Sequence, residues 1–377
     1  MPQIEIFLSL LRSGMYGNPI PPAELPESID WKAITKLARK HTVLGIIIDA
    51  LQFLPESLRP AGELRAKMNK FALGLIQANL VLEQTAARLV EFFKKYDISG
   101  VLLKGQGVAR YYRQPQIRHS GDIDFYVGTS SYKKAFEVCR HENLIKPGVK
   151  LNKTDQHFAF NFHGAPIEIH RIASRIFTPY RNRHFQQWVT EELEHSPQRR
   201  ALTVGDTDIT LPSCDFDAIY IFYHAWRHYL EGGIGLRQVC DWAMIFHTHA
   251  SDIDTEKLKQ NIRRFGLTGG WRLFACIAVN HLGIPAGKIP LYDPRYSHKS
   301  EKVFEEIMTG GNFGYYSEEY IRFKSYGYTG MRYATEKTLS YTKSFLTLLP
   351  VIPSEATFLY FRRLFNGPLR LLRRSKQ

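Results

Sequence analysis

Residues 102–127, LLKGQGVARYYRQPQIRHSGDIDFYV, mark a change in the chain from helical to strand-forming sequence. The apolar run Ser99 to Leu103 predicts a short buried strand, and the alternation of polar and apolar residues over Gly121 to Val127 predicts a second one. Asp122 and Asp124 are two residues apart on this second strand, so both carboxylates project from one face, about 7 Å apart along the chain. The stretch predicts a small sheet that carries a pair of acids.

Two carboxylates held close together need something that offsets their repulsion. At a separation of about 4 Å the repulsion is roughly 4 kcal/mol at an effective dielectric constant near 20. A shared proton would relieve it, but hard oxygen ligands suit a divalent magnesium or manganese ion, which also attracts nucleotide phosphates. The opposing interpretation is that the acid pair only caps or solvates an edge strand.

The residues on either side of the acid pair favour the metal site. Lys104 and Gly105 follow the first strand, where a glycine lets the backbone approach a phosphate and an ammonium group neutralises it. Residues 157–172, HFAFNFHGAPIEIHRI, alternate in two runs, which predicts a hairpin with its turn at Gly164-Ala165-Pro166. The second strand of this hairpin carries Glu168 and His170 on one face. Three acids on adjacent strands would repel one another, whereas two metal ions would use all three.

The order of these motifs resembles the DNA polymerase β-type nucleotidyltransferase superfamily. The order is Lys104-Gly105, then R-x3-D-x-D from Arg118, then a strand with a third acid followed by His170. The chain is more closely similar to a subgroup of largely uncharacterised bacterial nucleotidyltransferases. That subgroup opens with W-x-x-[IL]-x-x-L-A-x-x-H, here WKAITKLARKH at residues 31–41, and continues with a His- and Arg-containing helix that ends in L-R-x-x-x-D, here residues 236–241.

The resemblance implies transfer of a nucleoside monophosphate from an NTP, with ATP expected, to an acceptor hydroxyl with release of pyrophosphate. Asp122 and Asp124 match the metal-binding pair for Mg²⁺ or Mn²⁺. Glu168 matches the third acid, which helps to bind the metal or deprotonates the acceptor. Lys104-Gly105 matches the phosphate-binding turn. The chain departs from the superfamily there, because Gln106 replaces the serine or second glycine that usually follows.

Two other site candidates each admit two interpretations. Arg118 either donates to a phosphate or pairs with a nearby acid. His170 either orients a site acid or a water molecule, or packs as a bystander on its strand.

Two pairs on the predicted C-terminal helices have i, i+4 spacing. His224 and His228 lack the intervening Glu of a zinc protease helix, so we interpret them as structural or close to the substrate. For Arg237 and Asp241, an intrahelical ion pair is the expected explanation.

The composition indicates a soluble globular protein with a basic excess. The 377 residues include 50 Lys and Arg against 36 Asp and Glu, a net charge of +14, which favours an anionic partner such as a nucleotide or nucleic acid. The charge is thinly spread, and the basic tail from Arg362 to Lys376 is interleaved with apolar residues. We therefore expect an amphipathic segment docked on the protein and only weak, non-specific nucleic-acid binding.

The chain shows no sign of membrane insertion or of disulfide bonding. No apolar run approaches the roughly 18 residues that a membrane span needs, and the N-terminus lacks the pattern of a secretory signal. Cys139, Cys214, Cys240 and Cys276 match no zinc or redox spacing. These features predict a cytoplasmic protein with reduced, buried cysteines and no membrane partner.

The pattern along the chain predicts an α+β fold in three regions. Residues 1–96 form a helical N-terminal region, residues 97–211 a nucleotidyltransferase core with a small mixed sheet, and residues 212–377 a helical C-terminal region. In the first region we expect a helix from Trp31 to Leu54, with Asp30 as its N-cap, and another from Glu63 to Tyr96.

The leading prediction for function is metal-dependent nucleotidyl transfer to a small hydroxylated molecule. One alternative is the same chemistry on a protein or RNA acceptor. The other is a catalytically silent module that binds nucleotide or nucleic acid, against which the presence of all three acids argues.

Overall fold

The computed structural model describes residues 2–152, 154–326 and 330–374. The chain is mostly helical with a small mixed sheet, as expected for an α+β protein. Its α-helices are α1 Pro2–Tyr16, α2 Trp31–Lys40, α3 Leu44–Ala50, α4 Gly62–Lys94, α5 Gly105–Ala109, α6 Gly128–His141, α7 Pro179–Thr190, α8 Cys214–Glu231, α9 Leu236–His249, α10 Thr255–Arg264, α11 Thr268–Asn280, α12 Ser297–Gly310, α13 Glu318–Ser325, α14 Gly330–Leu348 and α15 Pro353–Arg374. Its strands are β1 Val101–Leu103, β2 Ile123–Tyr126, β3 His157–Phe162, β4 Ala165–His170, β5 Arg200–Val204 and β6 Thr207–Leu211.

Strands β1 to β4 form one sheet in the order β1-β2-β4-β3, and β5 and β6 form a separate hairpin. Strand β2 is antiparallel to β1 and parallel to β4, which makes the sheet mixed. Asp124 of β2 lies directly beside Glu168 of β4 in this register. The prediction that the second and third acids lie on adjacent strands is therefore confirmed.

The hairpin at residues 157–172 forms, but its turn differs from the predicted Gly164-Ala165-Pro166. His163 and Gly164 form the turn with φ of 48° and 83°, and Ala165 already belongs to β4. Two consecutive positive φ values are typical of a type I′ turn, which matches the twist of the strands. Pro166 is tolerated inside β4 because β2 pairs with β4 only from Ile167 onward.

The predicted helix from Trp31 to Leu54 is wrong in one respect, because it is broken into α2 and α3. Thr42 adopts a left-handed conformation with φ of 56° between them. This conformation ends α2 and is rare for a β-branched residue. Asp30 is the predicted N-cap, and its side chain accepts a hydrogen bond from the backbone N–H of Ala33 at 3.0 Å. Helix α4 confirms the second predicted helix, and α1 is an additional one.

Two hydrophobic clusters hold the described chain together. One contains Leu103 of β1 together with residues of the N-terminal helices and of α8, α9 and α11. The other packs Ile123 and Phe125 of β2, with β3 and β4, against α4 and α6. The first cluster therefore joins parts of all three predicted regions, and the division of the chain at residues 96 and 211 stays a prediction.

Several smaller sequence predictions can be compared with the structure. The four cysteines are free and buried, as expected. No helix among the described residues is long and apolar enough to cross a bilayer. At the start of the basic tail, Arg362 donates to Glu231 and Arg363 donates to the carbonyl oxygen of Leu230. The structure describes the backbone of Arg370, Arg373 and Arg374 in α15 but not their side chains, and Lys376 lies outside the described residues.

Glu355 of α15 predicts a pH-dependent stability. It is fully buried and accepts a hydrogen bond from Trp226 Nε1 at 3.4 Å. Burial raises its pKa from 4.5 to about 7 against the opposing effect of Trp226. The folded state therefore binds this proton more tightly than the unfolded state, and the free energy of unfolding should fall by about 3 kcal/mol as pH rises from 4.5 to above 7.

The Glu355→Gln variant should lose this part of the pH dependence and should be more stable than the wild type above pH 7. Urea denaturation at several pH values measures both effects, with exposed Glu63→Gln as the control. Parallel stability curves for the wild type and Glu355→Gln would contradict the prediction.

Candidate active site

The structure brings the three predicted acids together on one face of the sheet. Asp124 and Glu168 are neighbours on β2 and β4, and Asp122 immediately precedes β2. One carboxylate oxygen from each residue lies within 4.8 Å of the other two. The apolar residues that alternate with them, such as Ile123 and Phe125, are buried in the opposite layer. This alternation places the acids on one face of the sheet, because successive residues of a strand point to opposite sides.

Asp124 is the buried centre of the cluster, with only 2% of its surface exposed. Its carboxylate is 3.0 Å from Lys104 Nζ and 2.8 Å from His170 Nε2. Burial alone would raise the pKa of Asp124, but the charge of Lys104 and the hydrogen bond from His170 outweigh burial and hold this pKa well below its usual range. The carboxylate of Asp124 is therefore ionised at neutral pH and has two basic partners.

Asp122 and Glu168 flank this centre in different electrostatic states. Asp122 lies at the exposed rim, where desolvation by the surrounding protein and the charge of Asp124 raise its pKa. Glu168 is half-buried, and a hydrogen bond from His170 lowers its pKa against the opposing effect of burial. The charge of Asp124 adds to the effect of desolvation on the pKa of Asp122, so the two acids repel one another, as expected for a site that a cation would stabilise.

His170 contacts two acids of the cluster, as expected if it orients a site acid. Its Nε2 atom lies 2.8 Å from Asp124 Oδ1 and 3.4 Å from Glu168 Oε2. Burial lowers the pKa of His170, but the hydrogen bonds to these two acids outweigh burial and raise it. His157, which the sequence analysis did not select, lies across the sheet with Nε2 at 3.8 Å from Glu168. It opposes His170 in the β3–β4 register, which is the signal that would have identified it.

The predicted phosphate turn has an unusual backbone. Lys104 has φ of 52° and Gly105 has φ of 43° between β1 and α5. Glycine adopts this conformation without strain, and it lets the backbone reach the cavity. Gln106 does not line the cavity, is 1% exposed, and its two amide atoms have no hydrogen-bond partner among the described residues. The side chain at the usual serine or glycine position therefore contributes nothing to the site directly.

Arg118 pairs with an acid, which is one of its two predicted roles. Its Nε and Nη2 atoms each donate to Asp241 at 2.7 Å, and its Nη1 donates to Ser120 Oγ at 2.9 Å. Tyr112 also donates to Asp241, at 2.9 Å. The predicted ion pair between Asp241 and Arg237 is wrong, because Asp241 turns to Arg118. Direct binding of phosphate by Arg118 stays a prediction.

The buried Arg118–Asp241 pair predicts a stability effect that depends on which partner remains. Asp241→Leu should lower the free energy of unfolding by about 3–5 kcal/mol because it leaves the Arg118 guanidinium buried and uncompensated. The double variant Arg118→Met/Asp241→Leu removes both charges and should lose much less. Guanidinium denaturation of the three proteins measures the difference. Equal losses for the single and double variants would show that the ion pair is not the cause.

One face of α8 closes the cavity above the acid cluster. It carries Tyr220, His224, Arg227, His228 and Glu231, which recur at helical spacing in the mostly apolar stretch 220–231. The rings of the two histidines lie 4.5 Å apart, and burial lowers the pKa of both. This face encloses a cavity of about 430 Å³. The histidine pair thus lies beside the site, and the recurrence of polar residues along α8 is the signal for the rest of the face.

Comparison with known proteins identifies the family. Residues 27–283 match the family described as uncharacterised nucleotidyltransferase, which covers more than half of the chain. The chain belongs to this nucleotidyltransferase family. No curated protein and no solved structure gives a significant match.

The part of the chain that matches this nucleotidyltransferase family contains the site. It extends from before α2 to just beyond α11 and includes the acid cluster, the Lys104-Gly105 turn and the α8 face. Of the described residues that line the cavity, only Phe313 lies outside the matched range. The family match therefore coincides with the cavity.

Proposed function

We propose that the protein transfers a nucleoside monophosphate from an NTP to an acceptor hydroxyl and releases pyrophosphate, as the DNA polymerase β-type enzymes that its motifs resemble do. The observation that carries this proposal is the cluster of Asp122, Asp124 and Glu168, whose oxygens lie within 4.8 Å of one another beside the Lys104-Gly105 turn. Family membership supports nucleotidyl transfer in general, and the acid cluster supports a metal-dependent form of it.

The donor set fits magnesium or manganese. All three candidate ligands are carboxylate oxygens, which these hard cations prefer. A cation would also offset the repulsion between Asp122 and Asp124, which adds to the effect of burial in raising the pKa of Asp122. Asp122, Asp124 and Glu168 would hold the metal. When bound, the metal would withdraw charge from the transferred phosphate and lower the pKa of the acceptor hydroxyl.

The protein residues have separate tasks in this proposal. His170 holds Asp124 and Glu168 in place through its Nε2 atom. Lys104 lies beside Asp124, where it balances charge and can stabilise the departing pyrophosphate. The lowered pKa of Glu168 makes it a weak base, which favours metal binding over proton abstraction as its main task.

The enclosure of the cavity favours a small acceptor molecule. Its volume of about 430 Å³ is typical of sites for small ligands, and α8 covers one side. In addition, Arg362 and Arg363 of the tail are already engaged with Glu231 and Leu230. These contacts agree with weak nucleic-acid binding, and an RNA or protein acceptor remains the alternative.

Calorimetry with each of the four NTPs, in Mg²⁺ or in EDTA, tests the metal and nucleotide assignment. We expect one NTP, with ATP first, to bind in Mg²⁺ and to bind at least about tenfold more weakly in EDTA, because the acid cluster then repels the phosphates. Binding of equal strength in EDTA would contradict the proposal that the acids hold a metal for the nucleotide.

A further inference from the structure

Among the described residues, four lysine or arginine side chains line the cavity, and they differ in their partners. Three have a carboxylate at salt-bridge distance: Lys104 with Asp124, Arg118 with Asp241, and Arg227 with Glu231. Arg237, at the start of α9, has none among the described residues. It is the one basic side chain of the described cavity lining whose charge is not matched by an acid.

The neutral partners of Arg237 hold its guanidinium in place without cancelling its charge. Its Nε atom donates to Thr42 Oγ1 at 3.1 Å, and its Nη1 atom donates to the carbonyl oxygen of His119 at 2.9 Å. Burial and the nearby charge of Arg118 lower the pKa of Arg237. A half-buried guanidinium with neutral partners gains more free energy from binding an anion than one that already has a carboxylate partner. The cavity is the side from which an anion can reach Arg237.

Two sequence motifs far apart in the chain meet to place this arginine. His41, the last residue of the WKAITKLARKH motif, is fully buried. Its Nδ1 atom accepts a hydrogen bond from the backbone N–H of Leu236 at 3.3 Å. Burial lowers the pKa of His41 to about 3, so the imidazole is neutral and able to accept. Thr42, the next residue, keeps a strained positive φ and contacts Arg237 directly. Strain of this kind is commonly retained where it serves a site.

The predicted phosphate turn offers a triphosphate no positive charge that is free of an acidic partner, and Arg237 can supply one. Gln106 does not reach the cavity, and Lys104 is already bound to Asp124. Arg237 lines the same cavity as Asp122, which lies at the rim of the acid cluster. A polyphosphate held by ions at the acid cluster would therefore extend into the field of Arg237.

We propose that Arg237 binds the terminal phosphates of the nucleoside triphosphate, and that His41 and Thr42 position it for this task. The proposal rests on the proposed function, because it assumes that a nucleotide lies on the acid cluster. A guanidinium fork matches two phosphate oxygens at once, which a single ammonium does not. The N-terminal helical motif is then part of the phosphate site.

Binding of inorganic pyrophosphate in Mg²⁺, measured by calorimetry, tests the proposal without any acceptor. Arg237→Gln should weaken pyrophosphate binding by about ten- to a hundredfold, and Arg237→Lys should fall between this variant and the wild type. Exposed Arg88→Gln on α4 removes one positive charge outside the cavity and should leave the affinity within about twofold. Thermal unfolding of each variant separates loss of binding from loss of fold.

A second pair of variants separates positioning from general disruption. Thr42→Val removes the hydroxyl that receives Arg237, whereas Thr42→Ser retains it. We expect Thr42→Val to weaken pyrophosphate binding several-fold and Thr42→Ser to restore wild-type affinity. Equal affinities of the two variants would overturn the role of Thr42.

The outcomes distinguish this inference from the proposed function. If Arg237→Gln binds pyrophosphate as the wild type does, or if the wild type binds none, the phosphate site is overturned, whatever the enzyme transfers. If pyrophosphate binding depends on Arg237 but no nucleotidyl transfer is found, the phosphate site stands and the proposed reaction fails.

Discussion

Asp122→Asn should abolish metal-dependent nucleotide binding and reduce nucleotidyl transfer by at least about 10²–10³-fold. Asp122 lies at the exposed rim of the acid cluster and has no salt bridge among the described residues, so replacing it with an isosteric amide disturbs little of the fold. The substitution removes one charge and one ligand from a site in which a metal supplies several kcal/mol of stabilisation. Calorimetry with Mg²⁺ and the preferred NTP measures the loss.

The Asp124→Asn variant provides an informative contrast. We expect the same loss of binding, but with a lower free energy of unfolding, because Lys104 and His170 would lose their buried acidic partner. If Asp122→Asn retained the wild-type affinity for the Mg²⁺–nucleotide complex, the metal assignment would be wrong.

Glu168→Gln should reduce the rate of transfer by about 10² or more. The variant keeps the size and the hydrogen-bonding capacity of the side chain but removes a metal ligand and any base function. Because His170 donates to Glu168, we expect the fold to tolerate the amide. Steady-state kinetics with the preferred NTP gives the loss in kcat.

The affinity of this variant for the Mg²⁺–nucleotide complex distinguishes the two roles of Glu168. Loss of a general base would lower kcat and leave this affinity unchanged, whereas loss of a metal ligand would also weaken binding of the complex. A Glu168→Gln enzyme with the wild-type rate would remove this residue from the mechanism.

The periodicity of the sequence predicted the strands and helices whose formation depends on residues close together in the chain. The alternation over Gly121 to Val127 and over residues 157–172 located β2 and the β3–β4 hairpin, and the spacing of the two aspartates placed their carboxylates together. Helix α4 followed from its apolar spacing in the same way. The order of the strands then brought Glu168 beside Asp124.

Contacts between distant residues could not be predicted in this way. The Arg118–Asp241 pair joins residues 123 apart, and His41 contacts Leu236 across 195 residues. Since i, i+4 spacing on α9 suggested a local partner for Asp241, the sequence alone favoured the wrong ion pair. The break at Thr42 has the same origin, because a strained φ is stable only when distant elements pack around it.

Transfer of label from NTPs tests the central claim most directly. The protein is incubated with Mg²⁺, a cell extract and the preferred NTP, labelled either at the α-phosphate or at the γ-phosphate, with Asp122→Asn as the control. We predict that label from the α-phosphate becomes attached to an acceptor and that label from the γ-phosphate is released in pyrophosphate, both only with the wild type. Transfer of the γ-label to an acceptor, or equal α-label transfer by Asp122→Asn, would contradict nucleotidyl transfer at the acid cluster.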